Sequence, residues 1–291
     1  MTTFRFFFGP ATGTNYWSLS QKDRGSLPLE SYALDHALLL WGHADAAAEN
    51  VEFYWNHYVR DTSGLPPKPL DGVASSTGPP GSIDLKHWED VCTFADSYAD
   101  YGRWIDLWVI TARAKEATGD LTGWIQRTWP QSKLMARYML GLQANANATG
   151  VGKGLIFGPA EHDTCKFEAH WFSISAWTWR GLNALGRFLS DTSAVDERPF
   201  ADTLAKAAVT LKDALDAALA VSLVTDGAGK PYFVPPYAAV SINHSATGFK
   251  PYSSMIEVTA DSAIGFGGGP SYANFRTATS TSVTPFFSCM S

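Results

Sequence analysis

The residues with chemistry to offer stand in three groups. Glu30, Asp35 and His36 lie in LPLESYALDHALLLW, and Asp100, Tyr101 and Arg103 lie in YADYGRWIDLWV. Glu161, His162 and Asp163 lie in GPAEHDT, shortly before His170 opens the aromatic run HWFSISAWTWR. Paired carboxylates among aromatic rings are the working parts of glycosidic-bond hydrolysis. One carboxyl, kept protonated, donates to the leaving oxygen, while the other activates water or attacks the sugar. Rings stack on sugar faces and the remaining polar groups hydrogen-bond hydroxyls.

Glu161 is the expected proton donor and Asp163 its runner-up. Glu161 follows a Gly158-Pro159 turn and has Phe157, Phe167 and Trp171 close in sequence. Apolar surroundings raise a carboxyl pKa, which suits a donor. Asp163 stands nearer a helix start, where amide dipoles favour the charged form. Asp35, Asp100, Tyr101, Arg103, His170 and Trp177 are the expected substrate contacts. Asp35 carries the strongest argument, because a carboxylate inside an apolar helix is costly unless something holds it, which predicts a bound partner.

Plainer readings stand beside these. Asp163 also fits a favourable charge at a helix N-terminus, and Asp100 also fits a local ion pair with Arg103. His36 and His170 fit satisfied core or rim histidines. Trp177 and Trp179 fit packing.

The elements that must position these groups read as six helices in three pairs, over residues 29–42, 45–60, 99–118, 121–142, 169–189 and 198–224. Apolar residues recur at helical spacing in each, as in Phe200, Leu204, Ala208, Leu211, Leu215 and Leu219 of the last. Gly119 reads as a helix stop, and Pro130 is expected to break or kink the fourth helix. DTSGLPPKPLDGVASSTGPPGS and QANANATGVGKG read as loops. Residues 1–26 read as an irregular segment, 27–225 as a helical-hairpin domain and 226–291 as a Gly/Ser/Thr-rich segment. Ordinary surface charges sit on the even helices, while the unusual polar residues sit near the N-terminal ends of the odd ones. In antiparallel hairpins the odd helices run parallel, so those ends are expected on one face, as an acidic, aromatic-lined bowl.

Composition closes off other classes. With 45% hydrophobic and 17% charged residues the chain is expected to fold around a real core. A net charge of -6 without basic clusters argues against nucleic acid as a partner. Cys92, Cys165 and Cys289 form neither a disulfide framework nor a zinc spacing, so no metal or cofactor is expected. The opening MTTFRFFFGPATG makes a poor signal peptide and is too short to span a membrane, so no membrane partner is expected and no compartment is assigned. Serine-hydrolase elbow, zincin, P-loop and dinucleotide fingerprints do not occur. With 11 Trp, indoles exceed what a core needs and are expected to supply ligand walls.

In LPLESYALDHALLLWGHADAAAENVEFYWNHYVR, YADYGRWIDLWVITARAKEATGD, GLIFGPAEHD and HWFSISAWTWRGLNALGRFL, with a weaker FKPYSSMIEVT and PSYANFR, the chain resembles the six-hairpin glycosidases. That resemblance implies an all-α (α/α)6-type toroid, here partial, with a carbohydrate as substrate. It implies that Asp35 holds sugar hydroxyls in the innermost subsite and that Glu161 or Asp163 presents the general acid. Leu34 stands where many relatives have Arg, and only three hairpins are legible, so the second carboxylate falls to Glu257 as local substitute and the chain reads as incomplete. Two alternatives follow from the same residues. A polysaccharide lyase on a similar toroid would use Tyr101, Arg103 and His170; a degenerate homologue would bind carbohydrate without cleaving it.

Overall fold

The computed structural model describes residues 28–69, 75–84, 98–146, 149–159, 168–222, 224–225 and 231–233. The described chain is all-α, built from α1 (Pro28–Leu40), α2 (Ala44–His57), α3 (Ala99–Thr118), α4 (Leu121–Ala144), α5 (Phe172–Asp191) and α6 (Arg198–Ser222). Two short antiparallel pairs accompany them: β1 (Gly158–Pro159) with β2 (Glu168–Ala169), and β3 (Val224–Thr225) with β4 (Pro231–Phe233).

The helices form two rows of three, and side-chain contacts give their directions. Tyr32 of α1 meets Asp106 of α3, and beyond the end of α1 Asp45 meets Lys115, so α1 and α3 run parallel. Arg103 of α3 lies against Trp177 of α5 and Arg113 meets Asp191, so α3 and α5 run parallel as well. In the other row Glu52 meets Arg127, Trp55 meets Ser132, Lys133 meets Glu197 and Gln143 meets the Ala207 carbonyl, which aligns α2, α4 and α6. Each helix therefore turns back along its predecessor, and the N-terminal ends of α1, α3 and α5 share one face, as the alternation of polar residues predicts.

α3 lies at the middle of this arrangement and is buried on nearly every side. Its Trp104 stacks on Tyr54 of α2 (ring centroids 5.2 Å apart, 14° between planes), and its Trp108 stacks on Trp124 of α4 (5.4 Å, 25°). Three indoles also tie neighbouring helices by hydrogen bonds: Trp55 Nε1 donates to Ser132 Oγ (2.7 Å), Trp108 Nε1 to Thr128 Oγ1 (2.8 Å) and Trp124 Nε1 to the Ala48 carbonyl (3.4 Å). Most of the described tryptophans serve the core, which corrects the expectation that indoles exceed what a core needs. Trp55, Trp104, Trp108, Trp124, Trp171 and Trp177 are buried. Two rows of helices leave a deep gap, and large flat side chains with one polar tip fill it while joining its walls.

Other differences have local causes. α4 continues through Pro130 without a break. Pro130 and Gln126, whose carbonyl loses its partner there, are both exposed, so water can take the freed group. The buried side of α4 after the proline runs through Met135, Ala136 and Met139, with Leu134, Tyr138 and Leu142 at its margin. α5 begins at Phe172 rather than residue 169, because Glu168 and Ala169 pair with β1 and Trp171 is extended. α2 stops at His57 because Val59 bridges to Ile83, and α6 stops at Ser222 because Val224 pairs with Phe233. Trp41, expected on the core stripe of the first helix, is 63% exposed beyond its end. Gly119 caps α3 as predicted, in the left-handed conformation (φ 83°).

Candidate functional site

The described residues after α2, 58–69 and 75–84, are fastened to one another and to α3. Arg60 donates to the Ser76 and Ile83 carbonyls and to the hydroxyls of Ser76 and Ser82, and it pairs with Asp84 at 3.0 Å. The Ile83 amide in turn donates to the Tyr101 hydroxyl at 3.3 Å. Tyr101 is thus a buried anchor for this loop, with its ring 4.9 Å from that of Tyr138.

Asp35 is fully buried, and the fold supplies its partners. Its carboxylate accepts from Asn50 Nδ2 (2.6 Å) and from the Tyr54 hydroxyl (2.9 Å), both on α2. The inference that something must hold this carboxylate stands, while the expectation of a bound partner is corrected: the α1–α2 hairpin closes around it. Asp100 forms the local pair that its spacing allowed, with Arg103 Nη1 2.5 Å from its Oδ1 and both residues buried.

One turn deeper, three helices converge on residues that the sequence reading passed over. Tyr32 of α1 donates to Asp106 Oδ2 of α3 at 2.8 Å. Arg180 of α5 approaches the same oxygen at 2.8 Å and donates to the Tyr32 hydroxyl at 3.1 Å. The Trp177 indole lies among these groups, with the Arg180 guanidinium 5.0 Å and the Arg103 guanidinium 5.2 Å from its ring centroid, and Tyr32 edge-on at 5.0 Å. Trp177 is 3% exposed, so its π-surface serves the two arginines and not a sugar face, and the packing reading holds. The signal was present in the spacing: Asp100, Arg103 and Asp106 recur every third residue on one stripe, as do Trp177 and Arg180.

His36 adjoins this cluster, its ring 5.6 Å from that of Tyr32. Burial lowers its pKa below the ordinary histidine value; Asp106 acts to raise it and Arg180 to lower it further. With Asp100 and Asp106 each paired to an arginine, the expected acidic bowl is, among the described residues, largely a set of neutralised pairs. A carboxylate so held offers acceptors, which suits holding hydroxyls and orienting neighbours.

At the mouth, β1 and β2 bring Gly158 and Pro159 beside Ala169 and Glu168, directly before α5. Gly158 packs against the Tyr98 ring at the start of α3, where a Cβ would collide with it. His170 follows β2. Its Nδ1 lies 3.1 Å from the Leu155 carbonyl, a contact that requires the proton on Nδ1 and leaves the lone pair of the neutral ring on Nε2. Gly152 lies close under this ring, and Phe157, 47% exposed, meets it edge-on at 5.2 Å. Glu161, Asp163 and Glu257 lie outside the described residues. Among the described residues no group of three His, Cys, Asp or Glu could hold a metal ion, and no helix is long and apolar enough to cross a membrane.

The chain matches no family model, no curated protein and no solved structure.

Proposed function

We propose that the chain is a glycoside hydrolase, or the part of one that presents the general acid, with a carbohydrate as substrate. One observation carries this reading. The β1–β2 pair, whose two strands flank Glu161 and Asp163 in sequence, lies directly before α5, with Gly158 against Tyr98 of α3 and with His170 and the exposed Phe157 beside it. Three parallel helices with their N-terminal ends on that face supply the rigid wall that a sugar site needs, and three hairpins laid side by side in two rows of helices are how a toroid of the (α/α) type would begin. Asp100, Arg103 and His170 are then contacts at or just behind the mouth, Phe157 is an exposed ring there that can meet a sugar face, and Asp35 and Tyr101 hold the scaffold. The lyase alternative is less favoured, since it needs a cation for the substrate carboxylate, and Arg103 is buried against Asp100.

The experiment is product analysis on the purified chain. Release of reducing ends supports hydrolysis, an unsaturated product absorbing in the near ultraviolet supports a lyase, and binding without product supports a remnant. Glu161→Gln should abolish turnover of substrates with poor leaving groups and spare activated aryl glycosides, which need no acid. If Asp163→Asn alone gives that pattern the two roles are exchanged; if neither does, the segment is not an acid-presenting loop.

A further inference from the structure

We propose that Arg180 is a positioning residue which, through the Trp177 indole, sets Arg103 and Asp100 behind the mouth of the site. Only the consequence for a ligand rests on the sugar-site reading; the relay itself rests on contacts. Arg180 is not placed by its own helix alone: Asp106 of α3 and Tyr32 of α1 fix its guanidinium at 2.8 and 3.1 Å. It approaches the Trp177 ring at 5.0 Å, and Arg103 approaches the same ring at 5.2 Å. The Trp177 indole N–H is buried and meets no acceptor among the described residues, so no hydrogen bond from Nε1 to them orients the ring. Among the described residues, the two cations and the edge of Tyr32 are directional contacts that do. Arg103 in turn holds Asp100 at 2.5 Å. Taking away the Arg180 guanidinium leaves Tyr32 and Asp106 paired with each other, frees the indole to tilt, and removes the platform against which Arg103 is set.

The test uses 15N–1H spectra of the full chain. The Trp177 indole signal is identified among those of the 11 tryptophans by its loss in Trp177→Phe, and the Arg103 Nε–H by its loss in Arg103→Lys. Arg180→Leu should move both signals. In a Trp177→Leu background the same substitution should leave the Arg103 signal in place, because the relay is cut. Arg180→Lys keeps the ion pair but lacks the flat guanidinium, so it should give an intermediate shift, and it serves as the comparison if the leucine variant does not fold. A shift of Arg103 that is equal in both backgrounds means general loosening and overturns the proposal, as does no shift in either. With an aryl glycoside that the unaltered chain hydrolyses, Arg180→Leu should raise KM about tenfold and change kcat by less than about threefold; a loss confined to kcat overturns the positioning role. If the unaltered chain hydrolyses no glycoside the sugar-site reading fails, and the spectra alone decide the relay.

Discussion

Asp35 and His36 are neighbours on α1 with opposite relations to charge. Asp35 is buried as an acceptor between two α2 donors, so Asp35→Ala takes from the Asn50 amide and the Tyr54 hydroxyl a buried acceptor that both use. Urea unfolding should show a loss of about 2–4 kcal/mol, on the cost of buried donors left unmade. Asp35→Asn keeps one acceptor and should lose about half as much, with ligand binding by the folded fraction unchanged. His36 faces Tyr32 on its own helix, Asp106 on α3 and Arg180 on α5, and its pKa is lowered in the fold, chiefly by burial. The sign follows from which state takes up the proton first. Above the ordinary histidine pKa of about 6.5 both folded and unfolded forms are neutral. As pH falls below it, the unfolded chain protonates first and stability declines until the folded-state pKa is passed. Stability measured by urea unfolding should therefore fall from about pH 7 towards pH 5, and His36→Gln should flatten that slope. An unchanged slope would assign the acid sensitivity to other groups.

At the scale of elements, the α3–α5 crossing is set by glycine. A Cβ on Gly102 would collide with the Trp177 carbonyl, and one on Gly181 would press on the backbone of Gly102. Backbone cannot step aside as a side chain can, so Gly102→Ala must push α3 and α5 apart. The expected loss is about 1–3 kcal/mol, the usual range for overpacking, although alanine is the better helix former. Gly123→Ala on α4 is the control. Among the described residues its Cβ would meet just the ends of Arg127 and Asp120, so it should be neutral or slightly stabilising in the same urea titration. The exposed Arg127–Glu52 pair between α2 and α4 should matter little: Arg127→Gln should shift the urea midpoint by no more than the Gly123→Ala control does.

For the whole molecule, the Tyr32–Asp106–Arg180 contact joins α1, α3 and α5, one helix from each hairpin among the described residues. Fluorescence of the buried tryptophans and far-ultraviolet circular dichroism should trace one coincident unfolding transition. Asp106→Ala leaves the Arg180 cation and the Tyr32 hydroxyl without their shared acceptor. The α5–α6 hairpin, closed on itself through Leu182, Leu185, Leu204 and Leu211, should then outlast the rest and pull the two transitions apart. Coincident curves in that variant would show that aromatic packing alone keeps the molecule cooperative.

What the sequence determined by itself was the period of its apolar residues and the places where that period stops. Helix type, helix order and the left-handed cap at Gly119 follow from local sterics and amphipathic spacing, and so does the shared face of the α1, α3 and α5 ends once hairpins are assumed. Ends set by contacts distant in sequence were not legible: Val59 with Ile83, Gly158 with Ala169 and Val224 with Phe233 each halt or delay a helix that local spacing would extend. The same limit governed the site. A spacing of three residues shows that Asp100, Arg103 and Asp106 share a stripe, but not that Arg180, far along the chain, arrives at the same oxygen as Tyr32. Whether a buried carboxylate meets a ligand or a neighbouring helix depends on what lies across from it, and only the packing of the two rows decided that Asp35 faces Asn50 and Tyr54.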